Sequence, residues 1–362
     1  MTRQRAVRAS LMRGGTSKGL VLHAAELPDD PTERDALLLA AMGSPDPRQI
    51  DGVGGAHPLT SKVAVVRPSD RPDADVEYLF LQVRPDRREV SGSQNCGNML
   101  VAVGPFAVDE GLVPVAAGAT TPVRIWLANT ASLAVAHVPT EGGAARYDGD
   151  TRIDGVPGTH AAVAVDFAGL AGSSCGALLP TGNRLDVLDG VRVTCVDNGM
   201  PVVCVAAAEL GVGGYESPAE LEGDRRLVDA VESLRLAAGA AMGLGDVRAG
   251  SVPKVSLLAP PRAGGLVSTR TFIPHRVHDA VGVFGAVSVA TACLLPGSVA
   301  DGIARRPDGD HQGVAVEHPS GRVEVVVELA DSADVEVRRA GIVSTARLLM
   351  RGEVLVPGAV AP

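Results

Sequence analysis

Leu20-Val21-Leu22-His23-Ala24-Ala25-Glu26-Leu27 returns later in the chain as Val203-Cys204-Val205-Ala206-Ala207-Ala208-Glu209-Leu210, and the architecture is read outward from that echo. Each copy closes an apolar, β-rich run. Each is followed by an acidic, proline-containing turn, with Pro28, Asp29, Asp30 and Pro31 after the first and Ser217 and Pro218 after the second. A helix is predicted next in both, over residues 32–42 and 224–242, with Thr32 and Asp224 as N-caps. The parallel then continues. Thr60-Ser61-Lys62-Val63-Ala64-Val65-Val66 and Ser251-Val252-Pro253-Lys254-Val255-Ser256-Leu257-Leu258 both read as buried strands led by a lysine. Residues 97–110 and 282–295 each read as an apolar helix opening at glycine.

The order strand, helix, Lys-Val strand, more strand, apolar helix thus occurs twice. It predicts an α+β protein of two related domains, residues 1–183 and 184–362. A helix apolar on every face must be surrounded by protein, and a curved sheet wrapped around one such helix per domain meets that need. Residues 116–137 and the tail 313–356 read as further strands.

Composition agrees and excludes some functions. Of 362 residues 46% are hydrophobic but only 2% aromatic, so the cores are built from Val, Leu and Ala. The 43 Gly and 25 Pro predict many tight turns. A net charge of −9 with one Trp and three Tyr is unsuited to nucleic acid, which calls for a basic face with stacking rings. It also means that an anionic substrate needs a local cluster of donors, because the global field opposes it. The longest apolar run, 280–295, contains Ser288 and Thr291 and ends at Pro296, so it reads as a buried helix and not a membrane span. The five Cys are odd in number and form no C-x-x-C, which argues against a disulfide framework or structural zinc and fits a cytoplasmic location.

Among them, Cys96 is the thiol with polar, turn-forming neighbours, in Gln94-Asn95-Cys96-Gly97-Asn98 ahead of the first apolar helix. A helix N-terminus presents unpaired N–H groups and partial positive charge, which favour a thiolate and can receive a carboxylate or a developing enolate. Gly97 allows close backbone approach, and Asn95 and Asn98 offer amide donors. Cys195, Cys204 and Cys293 sit in apolar runs and read as inert core residues. Lys62 heads its strand after Thr60-Ser61, and a lysine with restricted solvation can serve as a general base. Lys254 holds the matching place and ranks below it.

Arg13-Gly14-Gly15-Thr16-Ser17-Lys18-Gly19 packs donors and glycines without the P-loop order, so an anion-binding turn is expected and not a nucleotide site. Phe272-Ile273-Pro274-His275-Arg276-Val277-His278-Asp279 precedes the second apolar helix. Arg276 can grip a carboxylate, Asp279 reads as a helix cap, and no metal is expected at His275 and His278 because no second ligand group accompanies them.

These stretches together resemble the PrpF family of the diaminopimelate-epimerase-like fold. The resemblance is carried by Met12-Arg13-Gly14-Gly15-Thr16-Ser17-Lys18-Gly19, Gly43-Ser44-Pro45-Asp46, Gln49-Ile50-Asp51-Gly52, Thr60-Ser61-Lys62-Val63, Asn95-Cys96-Gly97-Asn98 and Val103-Gly104-Pro105-Phe106. With Asp197-Asn198-Gly199-Met200-Pro201-Val202-Val203 and Phe272-Ile273-Pro274-His275-Arg276, the second half is most similar to the 4-oxalomesaconate tautomerase branch. The resemblance implies two pseudo-symmetric domains, each a β-barrel-like sheet around a central helix, with the active site in the cleft between them. It implies a cofactor-free isomerase of unsaturated tricarboxylates in aromatic-acid catabolism. A small polyanionic carboxylate is the expected partner, and a homodimer the expected assembly if the chain associates. It places proton transfer on Lys62 and Cys96. Substrate contacts then fall to Arg13, Thr16, Ser17, Ser61, Asn95, Gly97, Asn98, His275, Arg276 and Gly285.

Two positions depart from the wider fold. Its epimerases carry a second cysteine before the second central helix, where this chain reads Ala280-Val281-Gly282-Val283-Phe284-Gly285. Symmetrical two-thiol racemisation is therefore not expected. The usual Gly-Asn-Pro reads Gly199-Met200-Pro201, which removes a side-chain amide. The competing readings are a cis–trans isomerase of aconitate or 2-methylaconitate, a non-catalytic binder of small organic acids, and, last, a thiol redox sensor.

Overall fold

A computed structural model describes residues 4–92, 96–307, 313–330 and 335–358. The chain forms two compact units. The first runs to Val165 and takes up the chain again from Ser344; the second is Asp166–Val343. This differs from the division at 183/184 expected from the sequence. The reason is a long-range pairing: the last strand returns to the first, which no local pattern announces.

The first unit contains β1 (Arg5–Gly14), β2 (Ser17–His23), α1 (Pro31–Met42), β3 (Lys62–Pro68), β4 (Val76–Val83), β5 (Val90–Ser91), α2 (Gly97–Asp109), β6 (Thr120–Leu127), β7 (Ser132–Glu141), β8 (Ala144–Ala145) and the start of β9 (Ala162–Phe167). The second contains β10 (Asp186–Leu188), β11 (Val191–Asp197), β12 (Pro201–Ala206), α3 (Pro218–Gly223), α4 (Arg225–Ala241), β13 (Lys254–Ala259), β14 (Val267–Phe272), α5 (Val283–Leu294), β15 (Val314–His318) and β16 (Gly321–Leu329). In β17 (Val337–Val356), the early residues pair with β16 and those from Ala346 onward pair with β1. The architecture is α+β with a mixed sheet and few helices. No helix among the described residues is long and apolar enough to cross a membrane.

In the first unit β1 pairs with β17 and β2, then β2 with β3, β3 with β4, β4 with β6 and β6 with β7. Further pairings of β7 with β9 and of β9 with β17 return the series to its start. The β2–β3 pair is parallel, Gly19 opposite Lys62. The β3–β4 pair is antiparallel, Lys62 opposite Gln82. One sheet face buries Val7, Ala9, Leu20, Leu22, Val63, Val65, Leu81 and Val83 against Leu37, Leu38, Ala41 and Met42 of α1. The other carries α2, whose residues from Met99 to Val108 are all buried.

Local chemistry accounts for the helix ends. Asp30, and not Thr32, caps α1: its carboxylate accepts from Thr32 N at 2.9 Å and Glu33 N at 3.0 Å, with Pro31 in the first turn. Asp224 caps α4 as expected. Asp279 does not cap α5; Gly282 holds that position and supplies no side-chain bond. In the second unit β12–β13 is parallel, Val202 opposite Lys254, as is β14–β15, and α5 packs against β11, β12, β15 and β16. Leu227, Val231, Leu234 and Ala238 of α4 cover the opposite face with Val193, Val203, Val205, Val255 and Leu257.

Candidate active site

Strand alternation sorts the motif residues onto two faces. Paired residues in adjacent strands share a face, and the face changes at every residue. The pairs Met12–Gly19 and Gly14–Ser17, then Gly19–Lys62 and Lys62–Gln82, place Gly14, Ser17, Lys62 and Gln82 together. This is the α2 face, because a Cβ on Gly14 would lie 2.2 Å from Asn98 O and 3.2 Å from Ala102 Cβ. Gly14 and Gly19 are thus required by close approach: a Cβ on Gly19 would lie 2.1 Å from Lys62 O.

Lys62 does not point to solvent. It is 7% exposed, its Nζ donates to Gln82 Oε1 at 3.1 Å, and it stands 5.0 Å from the centre of the Phe80 ring. Gln82 is itself held, its Nε2 donating to Pro58 O, Ser61 O and Val83 O. An amide oxygen and an aromatic face therefore fix the amine while restricting its hydration.

Cys96 is the N-cap of α2 in an extended conformation, half-buried, and offers no side-chain cap bond. Its carbonyl accepts Leu100 N at 3.0 Å and the Tyr78 hydroxyl at 3.3 Å. The amides of Gly97, Asn98 and Met99 precede that first helical bond and have no partner within the helix. Burial, with Cys96 beside it as the second cause, holds the Tyr78 phenol well above its usual range, so it stays a neutral donor. Tyr78, Phe80 and Gln82 alternate along β4, so one strand face supports both Lys62 and Cys96.

Asn98 ties the glycine-rich turn to the helix. Its Nδ2 donates to Thr16 Oγ1 at 3.0 Å and Ser17 Oγ at 3.3 Å. Thr16, Ser17, Gly97, Asn98, Cys96 and Lys62 are thus all on the α2 side of the first unit. The cysteine and the lysine both belong to the first unit. Asn95 lies outside the described residues.

Other expected contact residues have partners within their own units. Arg13 alternates with Met12 and Gly14 and leaves on the opposite face, its Nη1 donating to Gly15 O, Thr345 O and Thr345 Oγ1. Ser61 Oγ is buried and donates to Gln49 Oε1 at 2.6 Å; Gln49 also accepts Ala56 N, so this serine anchors the preceding loop. In the second unit His275 Nδ1 is 3.7 Å from Glu232 and Arg276 Nε is 3.7 Å from Glu222, their side chains 59% and 82% exposed. Those contacts hold the 274–277 loop to α3 and α4. Gly285 is a buried residue of α5.

Lys254 takes the place in β13 that Lys62 takes in β3. It is half-buried, its Nζ donates to Ser251 O at 3.3 Å, and burial lowers its pKa. His278 lies nearby, its pKa lowered by burial and by Lys254. Cys195, Cys204 and Cys293 are buried, and desolvation raises the first and last to about 12. Cys175 is pushed to about 11 by burial and Asp197. Sequence reading missed Tyr78, Phe80 and Gln82. The signal was present as Val76-Glu77-Tyr78-Leu79-Phe80-Leu81-Gln82-Val83, where a polar group recurs four residues apart on one strand face.

Comparison with known proteins is consistent along the whole chain. The family model described as PrpF protein matches residues 4–357. The chain is 58% identical over 346 residues to 4-oxalomesaconate tautomerase of Pseudomonas putida, covering 96% of this chain and 95% of that protein. It is 55% identical over 345 residues to (4E)-oxalomesaconate Delta-isomerase of Novosphingobium sp., covering 95% and 96%. A crystal structure of methylitaconate-delta-isomerase superposes with a TM-score of 0.88 at 35% identity, covering 98% of this chain and 96% of that one. On the match that spans nearly its full length, the chain belongs to the PrpF family.

Proposed function

We infer that this protein is an isomerase that moves a proton within 4-oxalomesaconate or a closely similar unsaturated tricarboxylate. The observation that carries the reading is the buried Lys62, positioned by Gln82 and Phe80 on the sheet face that bears the Cys96-capped end of α2. The relatives named for oxalomesaconate isomerisation support the substrate class.

In the chemistry proposed, one of Lys62 and Cys96 takes a proton from carbon. The electron pair delocalises as an enolate across the conjugated acid, and the other group returns a proton at the far end of that system. One C–H bond breaks and one bond to hydrogen forms, C–H when the double bond shifts and O–H when a keto form becomes its enol, so no group is lost or gained. The costly step is the enolate beside other carboxylates. The amides of Gly97 and Asn98, which have no partner within the helix, meet that charge, at about 3 kcal/mol for a well-placed donor. Ser17, Thr16 and Asn98 stand next to them as carboxylate holders. Positioned acid–base groups add about 10²–10⁴-fold.

The finer architecture belongs to the same reading. Each unit would be a related barrel-like sheet around one apolar helix, α2 or α5. The matched parallel pairs β2–β3 and β12–β13, each with its leading lysine, support this.

The test follows substrate absorbance and deuterium uptake from solvent in Lys62→Met and Cys96→Ser, with 4-oxalomesaconate, aconitate and 2-methylaconitate assayed side by side. Loss of exchange at one carbon in each variant is expected. Near wild-type rates in both variants would falsify the assignment, and turnover of aconitate alone would move the substrate to the cis–trans isomerase class.

A further inference from the structure

The sheet face turned away from Lys62 carries a second arrangement of charge. Arg13 stands directly opposite Lys18 on β2 and Arg347 on β17, so Arg347, Arg13 and Lys18 lie abreast on three hydrogen-bonded strands. Directly opposed side chains on adjacent strands are close neighbours, and like charges so placed repel. Arg347 is exposed, while Arg13 and Lys18 are half-buried. His160 lies beside the row: after burial, Arg13 and then Arg347 lower its pKa, against a hydrogen bond to the Pro157 backbone and a weaker influence of Asp148.

The central cation of this row is held by neutral groups. Arg13 Nη1 is held by three neutral oxygens, and its Nη2 is sealed from solvent without an acceptor. Arg8 and Arg351 of the same two strands, by contrast, are paired with carboxylates. Arg8 of β1 meets Glu110 at 2.7 Å, and Arg351 of β17 meets Glu110 at 3.2 Å and Asp109 at 3.4 Å. Among the described residues, Arg13, Lys18 and Arg347 form no ion pair. In a chain of net charge −9, three adjacent cations without a carboxylate are a local reversal of the global field.

We propose that Arg347, Arg13 and Lys18, with His160 at the edge, bind a small polyvalent oxyanion, inorganic phosphate or a polycarboxylate, on the sheet face opposite α2. A multiply charged ligand is indicated because a single negative charge leaves most of the row uncompensated. Exposed Arg347 supplies the planar fork suited to an oxyanion, and Lys18 a point charge on the other side of Arg13. The site is independent of the proton-transfer chemistry inferred for Lys62 and Cys96, because strand alternation puts the two on opposite faces.

The test titrates the whole protein separately with sodium phosphate and sodium citrate at ionic strength held constant by sodium chloride. Heat of binding and thermal midpoint are both followed. Saturable binding is expected, weakened on the order of tenfold by Arg347→Ala and by Lys18→Ala, since each removes one charged partner. In Lys62→Met the phosphate affinity stays within about twofold, as befits separate sites. Saturation by phosphate alone assigns the site to inorganic phosphate, and by citrate alone to polycarboxylates. No saturable binding of either, affinity unmoved by both row variants, or phosphate binding lost in Lys62→Met overturns the proposal. None of these outcomes bears on whether Lys62 and Cys96 turn over oxalomesaconate.

Discussion

Gly19→Ala adds a single methyl group where β2 and β3 meet, and the structure says what it strikes. The new Cβ would stand 2.1 Å from Lys62 O, 2.7 Å from Lys62 C and 3.0 Å from Lys62 Cβ. The obstacle is backbone, so no side chain can turn aside. A carbon resting against a carbonyl oxygen needs about 3.3 Å, so the strands must part locally by about 1 Å. Overpacking of this kind costs about 1–3 kcal/mol, and each ladder hydrogen bond weakened beside it adds about 1 kcal/mol. A loss of about 2–4 kcal/mol corresponds to a fall in thermal midpoint of about 5–15 °C for a unit of this size. Activity is expected to fall further than stability, because Lys62 is the residue displaced, and a misplacement of about 1 Å at a reacting group costs on the order of 100-fold. Circular dichroism melts and the rate of solvent-deuterium uptake read the two effects separately. A midpoint within 2 °C of wild type together with unchanged exchange would refute the Gly19–Lys62 register and the close approach argued from it.

Other perturbations separate support from chemistry. Tyr78→Phe removes one donor from Cys96 O, which keeps Leu100 N, so a loss of about 0.5–1 kcal/mol in a urea melt and a few-fold change in rate are expected. Arg235 is fully buried, paired with Glu232 and donating to Val247 O, Gly250 O and Val252 O. Its replacement by Ala is expected to cost about 3–5 kcal/mol by denaturant unfolding, with rates per folded molecule retained. The buried thiols add a pH dependence. Folding raises Cys195 and Cys293 from an ordinary 9.0 to about 12, so their contribution is full below pH 9 and is lost as pH rises toward 12. Stability by chemical denaturation is expected to decline over that window, less steeply in Cys195→Ala. At pH 8, iodoacetamide is expected to label Cys96 ahead of the other four, which peptide mapping checks.

Much of the protein was legible in one dimension because the relevant signals are local. Apolar runs at 97–110 and 282–295 announced helices that must be enclosed, and the Lys-Val runs announced strands. A helix start beside a cysteine is readable from Cys96-Gly97 alone, since capping is settled within a few residues. The cap of α1 lies two residues before the expected one because Asp30 and Thr32 are both competent, and only the backbone shows which side-chain oxygen reaches the free amides.

What only tertiary structure decided is which residues share a face and which strands lie side by side. Arg13 and Ser17 stand four residues apart in one motif, yet the hairpin register turns one toward Thr345 and the other toward Asn98. Tyr78, Phe80 and Gln82 acquired their meaning once β4 was laid against β3, and Arg347 once the end of the chain was laid against its beginning. Strand pairing joins residues of any separation and reverses facing at every step, so such neighbours are set by the register and not by distance along the chain.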